Sequence, residues 1–389
     1  MSSSKPTRRI AFLSAVDVTV RNGNLQRQLQ VLRQLTHDQT NLVFIISLQS
    51  TPAKMRDWLE QERLHAQVID TLRAGFARVW YILWYYSNSL FCTRFKFIKF
   101  FQIPPFPFEV LDKDISHALS FYLWPACIIG LQRRKKWYGR LTIDLNDVMG
   151  DRHSRTGHHS WISINPVLES QILRNPGIDC VAITPDDADL FNTAYGVRPR
   201  VWPFFPSESF CKLPIAVNRP RAIGYFAAKN TQNIEIISFL IEHNIVKAWV
   251  DLGLIVVLAG SGCDSLPDNF RRNFIAQGGE LIGRVKSVEE FYGRVQVALN
   301  PIGPSTGVKI KSVEALVYGC NLVTSPWGTD SLLNEFFGDH LHVISWPLNA
   351  AELVKAGMLA VCHSRTESTL SNNSLCGYKA LVTKHLLLD

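Results

Sequence analysis

The segment that most restricts the fold is residues 295–332, VQVALNPIGPSTGVKIKSVEALVYGCNLVTSPWGTDSL. The apolar run 295–302, bounded by Gly and Pro, reads as a short strand buried on both faces. Gly303 to Gly307 turn the chain, and Ile310, Val313, Leu316 and Val317 then recur at helical spacing until Gly319 supplies a stop. Residues 320–324 form the next strand. Strand, loop, helix, strand is half of a doubly wound parallel sheet, whose ligands bind beyond the carboxyl ends of the strands.

That order places loop 305–308 beside a ligand site. Lys309 and Lys311 fall in the first turn of the following helix, where free amides already present partial positive charge, so added lysines are unfavourable until an anion reverses the sign. A phosphate gripped by amides and one or both lysines fits this composition. Glu314, about one turn beyond Lys311, can accept two hydroxyl protons from a ribose. Taken singly, Lys311 and Glu314 fit an ordinary surface pair equally well. The whole run carries the argument.

Gly307, Lys309, Lys311, Glu314, Ala315, Leu316, Gly319, Val323, Thr324 and Gly328 together resemble the signature of group-one, family 4-like glycosyltransferases of the GT-B architecture. The resemblance implies an α/β fold of two Rossmann-like doubly wound domains facing across a cleft, with a C-terminal helix crossing back to the first domain. The implied bounds are 1–203 for an acceptor-binding domain, 204–375 for a nucleotide-sugar-binding domain and 376–389 for the returning helix. The same resemblance implies that Glu314 binds the nucleotide ribose. Lys229, Lys309 and Lys311 would neutralise the donor diphosphate, while amides near Gly328, Thr329, Asp330 and Ser331 approach donor phosphate or sugar. The family often carries a further Glu eight residues before the ribose-binding one, where this chain has Thr306. Thr306 and Gly307 therefore join the donor-loop candidates, although a carboxylate's sugar contacts do not transfer to a hydroxyl.

The implied activity is transfer of a sugar from a nucleotide-diphosphate sugar to a hydroxyl acceptor, which is a glycan, a lipid-linked molecule or a small molecule. Retention of configuration and independence of metal are implied with it. Thr306 motivates an alternative, a catalytically inactive GT-B subunit with a regulatory or targeting role. A nucleotide-sugar epimerase is the other alternative, and it lacks a convincing pair of acid and base groups.

Composition agrees with two cores: 389 residues at 47% hydrophobic content exceed what one core accommodates. A formal net charge of +8 favours acidic partners such as nucleotides or anionic lipid. The basic residues are spread over several segments and form no recognised nucleic-acid module, so no nucleic acid is expected. The eight cysteines are scattered, without CxxC pairs or histidines at ligand spacing, which argues against a metal or disulfide framework and for a reducing compartment. The polar N-terminus MSSSKPTRRI has no apolar core of a secretory signal, and no stretch reaches the length of a membrane span. A cytoplasmic location is expected. Residues 73–110 interleave aromatics with Arg94, Lys96 and Lys99, a mixture that suits either helices covering one side of a sheet or a segment resting on an anionic membrane, peripheral at its inner face.

Taken in order, the chain alternates strand and helix as a parallel sheet requires. A strand at 9–14 precedes a helix at 25–35, and between them Asn22 and Gly23 allow tight backbone geometry suited to a phosphate or sugar hydroxyl. A strand ending at 114–118 before a helix at 121–132 puts His117 on the ligand side as a weak candidate. The strand 141–145 closes on Asn146 and Asp147, and Asp147, through the family resemblance, is an acceptor-side candidate. In the second half, a strand at 221–226 leads through Lys229 and Asn230 to a helix at 234–243.

Overall fold

In a computed structural model of the chain, the described residues are 8–14, 16–19, 23–37, 41–47, 50–69, 114–122, 139–145, 169–170, 173–206, 219–304, 309–363, 377–378 and 380–381. The chain divides into two compact units, Met1–Pro203 and Phe204–Asp389.

The first unit carries a seven-stranded sheet in the order β3-β2-β1-β4-β5-β6-β7. Its strands are β1 (Arg8–Ser14), β2 (Asn41–Ser47), β3 (Gln67–Val68), β4 (His117–Phe121), β5 (Arg140–Leu145), β6 (Ile178–Ala182) and β7 (Arg200–Val201), and every pairing is parallel. Helices α1 (Gly23–His37), α2 (Pro52–Gln61) and α3 (Pro185–Tyr195) belong to this unit. The start of α3 shows why it begins where it does. The Thr184 hydroxyl accepts from the Asp187 amide, and Pro185 occupies the first turn, where its missing N–H costs nothing. Gly196 ends the helix in the left-handed conformation at φ 68°.

The second unit carries a six-stranded sheet in the order β10-β9-β8-β11-β12-β13, again all parallel. In chain order it runs β8 (Ala222–Phe226), α4 (Thr231–Glu242), α5 (Ile245–Asp251), β9 (Ile255–Ala259), α6 (Asp268–Ala276), β10 (Glu280–Gly283), α7 (Val288–Tyr292), β11 (Val297–Asn300), α8 (Ile310–Val317), β12 (Asn321–Thr324), α9 (Ser331–Phe337), β13 (Leu341–Val343) and α10 (Ala350–Cys362). Strands β11 and β12 are buried at every position, which explains their uninterrupted apolar character. The core gathers Ile223, Val256, Leu258, Val297, Leu299 and Val323 from the strands beneath Ile237, Leu240, Trp249, Leu353 and Ala360 from the helices. Each large aliphatic side chain so buried contributes roughly 1.5–3 kcal/mol. Trp249 is fully buried and donates its indole N–H to the Val354 carbonyl at 3.2 Å.

One expectation is corrected here. The strand expected to end at 114–118 instead begins at His117 and continues to Phe121. His117 therefore lies at the amino end of β4, on the side of the sheet opposite the usual ligand crevice. Phe121, expected to open a helix, is the last residue of the strand; His117 to Ser120 pair with β1 on one side, and His117 to Phe121 pair with β5 on the other.

Candidate functional site

In the second sheet the chain leaves β8 toward β9 and β10, then returns to lay β11 on the other flank of β8. The carboxyl ends of β8 and β11 thus bracket a topological switch point, where the two helices that follow them open a crevice. Helix α4 follows β8 and α8 follows β11.

Two side chains from these helices meet there. Lys311, in the first turn of α8, donates from Nζ to Asn233 Oδ1 of α4 at 2.9 Å. The ammonium lies 5.2 Å from the centroid of the Tyr225 ring, so the π-face of this residue near the carboxyl end of β8 also receives it. The Tyr225 hydroxyl donates to the same Asn233 oxygen at 2.7 Å. Burial lowers the Lys311 pKa to about 8, against an opposing pull from Glu314.

Glu314 lies on the same helix and is buried. The Tyr292 hydroxyl is shared between the Lys311 carbonyl at 3.2 Å and Glu314 Oε2 at 3.4 Å. Tyr292 in turn stacks on Tyr318, with centroids 5.2 Å apart and planes 18° apart. Burial raises the Glu314 carboxyl to about 8, with the Tyr292 hydrogen bond and then Lys311 pulling it down. Lys309 is the N-cap of α8 and is partly buried, and its carbonyl accepts from the Ser312 amide at 2.7 Å. Lys309, Lys311 and Glu314 are thus brought together at one helix start.

A polar lattice holds that helix start against the sheet. Asn300 Nδ2 donates to Ser312 Oγ at 2.8 Å, Ser312 donates to the Gly328 carbonyl, and Thr324 Oγ1 donates to the Asn300 carbonyl at 2.8 Å. Gly328 is required by this packing, because a Cβ there would lie 2.0 Å from Thr324 Oγ1 and 2.6 Å from the Asn300 carbonyl oxygen. Of the neighbouring candidates, Asp330 caps α9 by accepting from the Leu333 amide at 2.9 Å, Ser331 is the exposed first residue of that helix, and Thr329, just before the cap, is partly buried.

Lys229 stands in the loop between β8 and α4, exposed, with its backbone N–H on Ser261 Oγ at 3.2 Å. An open groove of ≈ 680 Å³ runs along α4 from Lys229 past Ile234 and Phe239 to Glu242. Gly23 is the first residue of α1 in the first unit. Asn22, Asp147, Thr306 and Gly307 lie outside the described residues, as do Arg94, Lys96 and Lys99 of the aromatic and basic stretch. Among the described residues no group of three His, Cys, Asp or Glu side chains could hold a metal ion, and no helix is long and apolar enough to cross a membrane.

Sequence reasoning gave Asn233 no role in the site; the cap of α4 is Asn230, whose side chain accepts from the Asn233 amide at 2.8 Å. It also passed over Tyr225 and Tyr292. The available signal was an amide and two phenols at positions where the flanking pattern asks for aliphatic core residues.

No protein-family model matches the chain, and no curated protein matches it in sequence. Solved structures do match in fold. A glycosyltransferase from Rickettsia africae superposes with a TM-score of 0.59 at 11% identity, over 98% of this chain and 100% of that one. HepE from Anabaena, solved in complex with UDP, gives 0.60 at 11% identity over 97% of each chain. WaaG, a glycosyltransferase involved in lipopolysaccharide biosynthesis, gives 0.54 at 10% identity over 96% of this chain and 95% of that one. With its two all-parallel sheets, each reversing at a switch point, this chain is an α/β protein with the two-Rossmann fold of the GT-B glycosyltransferases.

Proposed function

We propose that the protein is a glycosyltransferase that moves a sugar from a nucleoside-diphosphate donor to a hydroxyl acceptor. The observation that carries this reading is the placement of Lys311 and Glu314 together on the first turns of the helix that follows β11, at the switch point of the second sheet. The helix start offers amides to a diphosphate, Lys309, Lys311 and Lys229 offer charge, and Glu314 offers acceptors to a ribose. The backbone about Thr306, Gly307, Gly328, Thr329, Asp330 and Ser331 completes the donor side. On the first unit, Asn22 and Gly23 would serve the donor's phosphate or a sugar hydroxyl, and Asp147 would serve the acceptor. HepE, which shares the fold, was solved with UDP, with UDP and glucose, and with UDP-glucose, so a uridine diphosphate sugar is the first donor to test.

In this reading the bond between the anomeric carbon and the diphosphate oxygen breaks, and its electron pair goes to the phosphate. The lysines and helix amides stabilise that developing charge, so no metal is required. The acceptor oxygen bonds to the same face of the sugar, and its proton passes to a leaving-group oxygen, giving retention. The reaction takes place in the cytoplasm, with peripheral contact to an anionic membrane through the 73–110 stretch.

The test is a thermal-shift titration of the full chain with UDP, GDP and ADP, followed by turnover with the corresponding sugar nucleotides. Stabilisation by at least one, lost in Lys311→Ala and Glu314→Ala, is the expected result. Variants that bind and transfer normally would remove the reading. Thr306, standing where the related pattern often has a carboxylate, favours one second reading, a GT-B subunit that binds nucleotide without turnover. Release of nucleotide from a sugar nucleotide by the purified protein excludes it.

A further inference from the structure

The Lys311 ammonium reaches across the β8/β11 crevice to an acceptor that an ordinary helix would not place there. The inward face of α4 is otherwise aliphatic, with Ile236, Ile237, Leu240 and Ile241 all buried. Asn233 sits on that face at 2% exposure, the one polar side chain among the buried residues of α4. Its cap duty is already discharged by Asn230. We propose that Asn233 is a positioning residue that presents the Lys311 ammonium to the diphosphate of the donor, an inference that rests on the nucleotide site proposed above.

The geometry admits one orientation of the amide. The Ala228 carbonyl can only accept, and Asn233 Nδ2 donates to it at 2.7 Å, so the oxygen must face the crevice. There it receives both the Tyr225 hydroxyl and Lys311 Nζ. Tyr225 holds the ammonium from below with its ring and holds the amide from the side with its hydroxyl. A lysine side chain loses much of its rotamer freedom when ordered. In this site that ordering precedes ligand binding.

The chemistry of the partner matters as much as its place. A carboxylate at position 233 would neutralise the ammonium and compete with phosphate for it. A neutral amide orients the cation and leaves its charge unspent, with further N–H donors for an incoming anion. The groups facing Lys311 are Asn233 and Tyr225 from one side and Glu314 and Tyr292 from its own side of the crevice. Glu314 keeps its own hydrogen bond to Tyr292.

The experiment compares the full chain with Asn233→Leu, Asn233→Asp and Lys311→Ala, titrating UDP, GDP and ADP and, in parallel, uridine, guanosine and adenosine. For whichever diphosphate the parent binds, Asn233→Leu is expected to weaken affinity about tenfold while leaving the matching nucleoside unchanged. Loss of nucleoside and diphosphate affinity by the same factor, or no loss of either, overturns the proposal, since a merely structural asparagine would act on both alike. A second measurement needs no ligand. The NMR titration midpoint of Lys311 in reductively methylated protein should fall in Asn233→Leu and rise in Asn233→Asp, and an unmoved midpoint in both overturns the proposal. If the parent binds none of the three diphosphates, the nucleotide reading fails, while the Lys311 midpoint still reports whether Asn233 holds the ammonium. Should Asn233→Leu not fold, the nearly isosteric Asn233→Asp carries both measurements.

Discussion

Each unit sets a cation near a carboxylate, both fully buried in the first unit and a half-buried Lys311 with a buried Glu314 in the second, and the two arrangements differ in what they bond to. In the first unit Arg27 of α1 donates Nε to Asp144 of β5 at 3.0 Å, and both residues are at most 1% exposed. Its other nitrogens go to Gln30 Oε1 at 3.2 Å, the Pro203 carbonyl at 2.8 Å and the Trp202 carbonyl at 2.6 Å, and the guanidinium lies over the Trp202 ring. Four of that cation's five N–H donors are engaged, and they tie α1, β5 and residues 202–203 together. In the second unit the side-chain polar contacts of Lys311 and Glu314 go to neutral partners, Asn233 and Tyr292. A charge closed by its counter-charge serves packing, whereas a charge oriented by neutral groups remains available to a ligand.

The largest test of this contrast is the removal of each cation. Arg27→Met leaves Asp144 buried and uncompensated and is expected to cost about 3–5 kcal/mol of stability, read by urea denaturation. Asp144 already carries a carboxyl raised by burial and held down only by Arg27. Lys311→Met should change stability by less than about 1 kcal/mol, because burial already disfavours its charge. Its cost should appear instead in nucleoside-diphosphate affinity. Equal losses of stability in the two variants would erase the distinction between a closed and an open charge.

A smaller effect is expected at Gly328. Alanine there meets Thr324 Oγ1 and the Asn300 carbonyl, so the end of β12 must shift, at about 1–3 kcal/mol. Calorimetry measures this loss. If Gly328→Ala is neutral in stability yet abolishes nucleotide binding, the glycine acts through its amide and not through packing.

How much of this was readable beforehand divides along the same line. The run 295–332 announced its strands and helix because β11, β12 and α8 are locally consistent, with full burial giving unbroken apolar strands. Lys309, Lys311 and Glu314 were legible because they sit in one helix whose start the glycines and prolines mark. Asn233 was not, since its significance depends on a residue 78 positions away. Arg27 and Asp144 were missed for the same reason, being 117 positions apart, although an Asp inside the apolar strand RLTIDL and an Arg beside the Leu25 and Leu29 stripe were the available clues. His117 was misplaced because strand boundaries depend on pairing with β1 and β5, which no local pattern specifies.

The smallest expected effect is a difference in pH response. Burial lowers His117 to about 4, with Asp179 pulling the other way, and its Nε2 lies 2.9 Å from Thr142 Oγ1. Between about 4 and its ordinary 6.5 His117 binds fewer protons in the folded chain than in the unfolded one, so its contribution is complete above 6.5 and is lost as pH falls through 4. Asp144, raised by burial, acts with the opposite sign, so the His117 slope is the part that His117→Gln removes. Glu314 also has the sign opposite to His117. Raised to about 8 by burial, it binds more protons folded than unfolded, so its contribution is complete below its ordinary 4.5 and is lost as pH rises through 8. Lys311 enters with a further slope only above about 8, so the comparison belongs below that pH. Acidification from 6.5 to 4.5 should therefore loosen β4 and β5 relative to β11 and β12, seen as diverging amide hydrogen-exchange protection after correction for intrinsic rates. His117→Gln should flatten the first slope and Glu314→Gln the second. Parallel slopes in the two sheets, unchanged by either substitution, would mean that neither buried group titrates as its surroundings require.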